Sequence, residues 1–110
     1  MPLKAELDWY DMDESLYRAS RICRVLGNPK AYQILAELRT LGAATPTELA
    51  PRINRTMAST CITLKSLREV DLVRYQRNGK NVVYRVKDSQ VEKTLDALGT
   101  LVAHIRRESR

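Results

Sequence analysis

From Thr56 to Val70 the apolar positions Thr60 (through its methyl), Leu64, Leu67 and Val70 recur at steps of three and four, one stripe of an amphipathic helix. The opposite face holds Met57, Ser59, Ile62, Thr63 and Lys65, small or hydrogen-bonding groups in the main, with little acid among them. The period then changes. Leu72 to Gln76 and Asn81 to Val86 read as two short strands around Asn78-Gly79. That pair tolerates the positive φ a type I′ hairpin turn requires at both central residues. A helix followed at once by a basic hairpin has the parts of a winged helix-turn-helix. One element is sized for the major groove of DNA and one for the backbone beside it.

The rest of the chain supplies helices around this unit. Asp13 is a suitable N-cap for a helix to Leu26, with Leu16, Ala19, Ile22, Cys23 and Leu26 on one stripe, and Gly27 ends it. Asn28-Pro29 starts the next, because proline at the first helical position loses no backbone bond. Its core face is Tyr32, Ile34, Leu35, Leu38 and Leu41, and Gly42 stops it. Thr45-Pro46-Thr47-Glu48 combines a capping box with proline in the first turn, and Leu49, Ala50 and Ile53 point inward. Pro51 lies inside that helix, which is therefore expected to be short, bent or finished in a tighter turn. Asn54 suits the left-handed position of the following turn. Asp88 caps a last helix to about Arg107, with Val91, Leu95, Leu98, Val102 and Ile105 on a stripe widened by Thr94 and Leu101. So wide a face has too little left to cover in a chain this size, and a partner subunit is the expected cover.

The predicted architecture is mainly α with a small β-hairpin wing, about five helices plus two strands. A domain over 13–110 follows an N-terminal segment, 1–12. That segment mixes Leu3, Leu7, Trp9, Tyr10 and Met12 with acids, and is expected to pack on the body of its own subunit or on a partner.

Charge sharpens this picture. The net charge is +6; Lys4 against Glu6, Asp8, Asp11, Asp13 and Glu14 leaves residues 1–14 at −4, so the remaining 96 hold +10. Between Arg52 and Lys87, nine Lys or Arg face only Glu69 and Asp71. A polyanion partner is favoured by such clustering, because neutralised phosphates release condensed counterions. No run of eighteen apolar residues and no signal-peptide pattern is present, so a soluble, cytoplasmic protein with no membrane partner is expected. Cys23 and Cys61 fit neither a disulfide framework nor a metal knuckle. One histidine, no Gly-rich phosphate loop and no Cys–His or Ser–His pairing argue against an enzyme, and no cofactor is implied.

The order helix, helix, helix-turn-helix, hairpin, helix resembles the ArsR-type family of bacterial and archaeal repressors, from about Arg21 to Leu98. The resemblance lies in R-V-L-G-N-P-K-A-Y-Q-I-L from Arg24, T-E-L-A from Thr47, T-L-K-S-L-R-E-V-D-L-V from Thr63 and G-K-N-V-V-Y-R-V from Gly79, in that order. It implies a homodimer built mainly from the first and last helices, here through Leu16, Val91, Leu95, Leu98, Val102 and Ile105. It also implies two recognition helices set for successive major grooves of a near-palindromic operator on double-stranded DNA, about 34–36 Å apart. By position Thr56, Met57, Ser59, Ile62 and Thr63 would approach base edges or phosphates, with Lys65 on the same face. Thr45 and Thr47 would meet phosphate at a helix N-terminus, and Arg77 and Lys80 would touch the backbone or minor groove. The face lacks Asn and Gln and is poor in Arg, so direct readout is moderate and phosphate contacts and DNA shape contribute more of the affinity.

Members of the resembled family often sense metal, and this chain departs from them there. One family site is a cysteine pair around Thr47-Glu48-Leu49, where this sequence has none. Another is Asp-x-His with His-x-x-His on the last helix; the matching positions are Asp88, Gln90, Leu101 and His104, two ligands short of a tetrahedral site. No metal is expected. Cys23 is expected to be a buried small hydrophobe. Cys61, beside the groove-facing residues, is a buried group or a thiol whose oxidation or metallation disrupts DNA binding. A winged helix used for protein–protein contact is the alternative function, resting on the acidic segment with Trp9 and Tyr10.

Overall fold

The computed structural model describes residues 12–109, so the expected packing of segment 1–12 falls, Met12 apart, outside the described residues. The described elements are α1 (Glu14–Leu26), α2 (Pro29–Leu41), α3 (Pro46–Arg52), α4 (Met57–Glu69), β1 (Val73–Asn78), β2 (Asn81–Val86) and α5 (Ser89–Glu108).

Each helix begins where its first N–H groups find an oxygen. Asp13 accepts from the Ser15 N–H at 2.8 Å, Asn28 from Lys30 at 2.9 Å, Thr56 from Ser59 at 3.1 Å and Asp88 from Gln90 at 3.0 Å. At α3 the capping box closes. Glu48 N–H donates to Thr45 Oγ1 at 3.2 Å, and Thr45 N–H donates to Glu48 Oε1 at 2.9 Å. That backbone donor, aided by the Thr45 side chain, holds the Glu48 carboxyl below its ordinary range. The contribution of this cap is therefore in place above the ordinary carboxylate range and is lost as pH falls through the lowered value.

Two helix ends use the same device. With Pro51 inside it, α3 stops at Arg52, and Asn54 takes φ 55°. Arg55 N–H then reaches the Ala50 carbonyl at 3.0 Å and Asn54 N–H the Pro51 carbonyl at 3.2 Å. After α4, Asp71 takes φ 62°, with Leu72 N–H on the Leu67 carbonyl at 3.0 Å and Asp71 N–H on Arg68 at 2.9 Å. The Asp71 carboxylate accepts from Lys87 Nζ, which lowers its pKa and ties this turn to the approach to α5.

The core gathers around α2. Ile34, Leu35 and Leu38 are buried against Leu49 of α3, Leu64 and Leu67 of α4, Leu72, Val73 and Tyr84 at the hairpin base, and Leu95 of α5. The strands pair antiparallel from Val73↔Val86 to Asn78↔Asn81. A bridge between Ala44 and Tyr84 fastens β2 to the start of the helix-turn-helix, with N–H···O distances of 2.9 and 2.8 Å.

Four expectations need correction. The hairpin turn is Gly79-Lys80, not Asn78-Gly79, because Asn78 already pairs with Asn81. Only Gly79 has positive φ (67°), the sign pattern of a type II′ turn with glycine at the first central position. Thr63 is buried, as described below. Leu95 is covered by its own subunit's core and is not free to form a dimer face. Arg39, which pairs with Asp96 and lies 4.0 Å from Glu92, fastens the same half of α5 to α2. Cys23 is exposed, since α1 leans on the core through Ile22, Val25 and Leu26 and Cys23 falls off that line.

Candidate nucleic-acid interface

Helix α4 lies across the body on Thr60, Thr63, Leu64 and Leu67, all buried. Thr63 was expected outside, but it is 4% exposed. It continues the inward i, i+3, i+4, i+7 set, and its hydroxyl donates to the Ser59 carbonyl at 2.9 Å, so no polar group is stranded. Thr60 does the same to the Thr56 carbonyl at 2.8 Å. The outward face is Met57, Ala58, Cys61, Ile62 and Lys65, with Ile62 68% exposed. With Met57 46% exposed on the same helix, Ile62 gives this face apolar groups that no residue of the subunit covers.

The remaining expected residues divide as follows. Thr56 is exposed but its Oγ1 is occupied as the α4 cap, and Thr47 is exposed on the first turn of α3. Thr45 is half-buried within its capping box. Ser59 is half-buried, its Oγ accepting from Lys30 Nζ at 3.4 Å. Arg77 and Lys80 stand exposed at the hairpin tip. A shallow depression lined by Pro51, Asn54, Arg55, Thr56 and Ser59 opens at the start of α4, where unpaired first-turn N–H groups and the Arg55 guanidinium suit an anion.

Of the nine basic residues from Arg52 to Lys87, Arg52 pairs with Glu37 at 3.1 Å and Lys87 with Asp71. Arg55, Lys65, Arg68, Arg74, Arg77, Lys80 and Arg85 form no ion pair among the described residues. The sequence analysis counts these residues in the charge balance and gives Arg68, Arg74 and Arg85 no place of their own. Their one shared signal is the excess of positive charge itself.

The positions matched to a family metal site are used otherwise. Asp88 caps α5, and His104 Nε2 lies 2.8 Å from Glu108 on the same helix. Among the described residues no group of three or more His, Cys, Asp or Glu is placed to hold a metal. None of the described helices is long and apolar enough to cross a membrane.

Five helices and a hairpin, with α3 and α4 joined by the Asn54 turn, make a winged helix-turn-helix. Neither a family profile nor a curated protein sequence matches the chain. Solved structures do, among them several transcriptional regulators. One is a possible transcriptional regulatory protein from Mycobacterium bovis, at 26% identity and TM-score 0.71, covering 83% of this chain and 96% of that one. Another is the homodimeric winged helix-turn-helix DNA-binding domain Mb0332 from the same organism, a possible ArsR-family regulator. It shows 24% identity and TM-score 0.74 over 91% of this chain and 94% of that one. A third is the transcriptional repressor BigR from Xylella fastidiosa, at 24% identity and TM-score 0.70 over 84% of this chain and 93% of that one.

Proposed function

We propose that the chain is a sequence-specific DNA-binding transcriptional regulator, a repressor acting as a homodimer on a near-palindromic operator and sensing no metal through the resembled family's sites. One observation carries the reading: seven basic side chains, Arg55 in the turn before α4, Lys65 and Arg68 on it and four on the hairpin, form no ion pair among the described residues, while the first three turns of α4 expose the uncharged Met57, Ala58, Cys61 and Ile62. The bases would meet Met57 and Ile62, which suit thymine methyls, while Arg77, Lys80 and the Thr45–Thr47 turn meet phosphate. The uncovered second half of α5 supports the homodimer, and repression is proposed by analogy with BigR, a repressor of the same fold.

Selection of bound sites from random duplexes tests DNA binding, specificity and half-site spacing together. In the same assay Arg77→Ala with Lys80→Ala should weaken binding about equally on every sequence. It should also flatten the slope of log K against log salt by about 1.8, roughly 0.9 for each phosphate no longer neutralised. No duplex binding even at low salt, with a protein partner recovered instead, would favour the protein–protein reading.

A thiol-responsive form of this function is favoured by one further observation, that Cys61 is exposed on the outward face of α4. Peroxide treatment should then abolish DNA binding in the native chain and spare Cys61→Ser. Equal loss or equal survival in both proteins removes the thiol from the account.

A further inference from the structure

Three side chains in series join the end of α4 to the base of the hairpin. Arg68, in the last turn of α4, holds its guanidinium carbon 4.0 Å from the centroid of the Tyr75 ring. Tyr75 meets Tyr84, its partner in register, with ring centroids 5.9 Å apart and planes tilted by 33°. Tyr84 is buried, and its backbone pairs with Ala44, the residue before the Thr45 cap of α3.

The place of this series in the hairpin gives it a consequence. Tyr75–Tyr84 is the rung nearest the tip that contains a buried side chain. Beyond it Gln76 to Asn81 are all exposed and only Val82 and Val83 of the returning strand stay half-buried, so the tip with Arg77 and Lys80 projects past this rung. An arginine has a long stem and many rotamers, and with no ion pair among the described residues Arg68 has no carboxylate to hold it. The Tyr75 ring face is its partner.

We infer that Arg68 is a positioning residue for DNA binding: stacked on Tyr75, it fixes the hairpin against α4, so that the tip reaches the DNA backbone when α4 sits in the groove. This rests on the DNA-binding reading above. Its effect is preorganisation, since a hairpin already held at the right angle has less freedom to lose on binding.

The test is a double-mutant cycle by fluorescence anisotropy on one duplex, in which Tyr75 is replaced so that no positive charge is removed. Tyr75→Leu should weaken binding about two- to fivefold, the worth of one exposed cation–π contact, and Tyr75→Phe, which keeps the ring face, should bind as the native chain does. In a background of Arg77→Ala with Lys80→Ala the cost of Tyr75→Leu should vanish, because the tip it positions no longer touches the duplex. Thermal melts check that each variant folds. Should Tyr75→Leu not fold, Tyr75→Val, a better strand former that also lacks the ring, takes its place in the cycle. The inference is overturned by native affinity in Tyr75→Leu, or by an equal cost in both backgrounds, which would assign Arg68 or Tyr75 a direct contact of its own. A native chain that binds no duplex overturns the DNA-binding reading and the inference with it. A native chain that binds, with no coupling in the cycle, sinks the inference alone.

Discussion

Val102→Asp together with Ile105→Asp is expected to leave the subunit folded and to separate the proposed homodimer. Leu95 and the Arg39 pairs anchor the first half of α5 to its own body, whereas every described residue from Gly99 onward is exposed. Val102 is 54% and Ile105 51% exposed, and Leu101 and Leu16 are exposed too. Nothing in the subunit would notice two carboxylates there, but a facing copy of the helix would have to bury them unpaired. Sedimentation should give the mass of one chain, with the helical circular dichroism of the native protein. Affinity for a two-half-site duplex should fall by about 10²–10⁴-fold, because the second half-site no longer binds at high effective concentration. A variant that remains a dimer, or a native chain that is itself a single subunit, would refute the proposed assembly.

The half of α5 that matters for this result shows where pattern reading succeeds and where it stops. Periodicity identified one apolar stripe from Val91 to Ile105, and the helix is there, capped at Asp88. A stripe says which side is apolar and not what covers it. Leu95 lies in the core with Leu35, Val91 and Leu98 are half-buried against the same core, and Val102 and Ile105 are exposed. Separating these needs the position of α2, which is tertiary information.

Four helix starts were legible because capping is local chemistry within four residues. Asp13, Asn28, Thr45 and Asp88 accept the N–H groups their spacing promised, whereas Thr56, read only as a DNA-facing residue, also caps α4. So was the turn at Asn54, whose short polar side chain tolerates positive φ. The hairpin turn was misplaced by one residue because Asn-Gly satisfies a two-residue turn by itself, while register depends on the whole strand. Val73 and Tyr84 face the core in either register, since a turn at Asn78-Gly79 would pair them directly; the pairing of Tyr75 with Tyr84 and of Val73 with Val86 is what puts the turn at Gly79-Lys80. Thr63 was ambiguous for a chemical reason. Threonine offers a methyl to the core and a hydroxyl to the groove, and only the Ser59 carbonyl, which takes the hydroxyl, decides between them. Arg68 over Tyr75 had no local signal, since the chain reverses between them at Asp71.

Leu64→Ala should cost about 2–5 kcal/mol of folding stability, and Ile62→Ala, two positions away on the same helix, less than about 0.5 kcal/mol. Leu64 is fully buried among residues of α2 and α3, so truncating it to a methyl leaves a cavity that close-packed neighbours fill only in part. A domain of this size has about 5–15 kcal/mol in total, and the expected fall in Tm is of order 10–30 °C. Ile62 is solvated in the free subunit, so its truncation removes little that folding had gained. Its effect should appear on DNA instead, as a loss of preference at one thymine-containing step worth roughly 1–3 kcal/mol. Melting curves and selected-site profiles of the two variants separate the roles. A large stability loss in Ile62→Ala, or unchanged stability in Leu64→Ala, would mean that α4 is rotated about its axis from the orientation described, and the outward face would have to be reassigned.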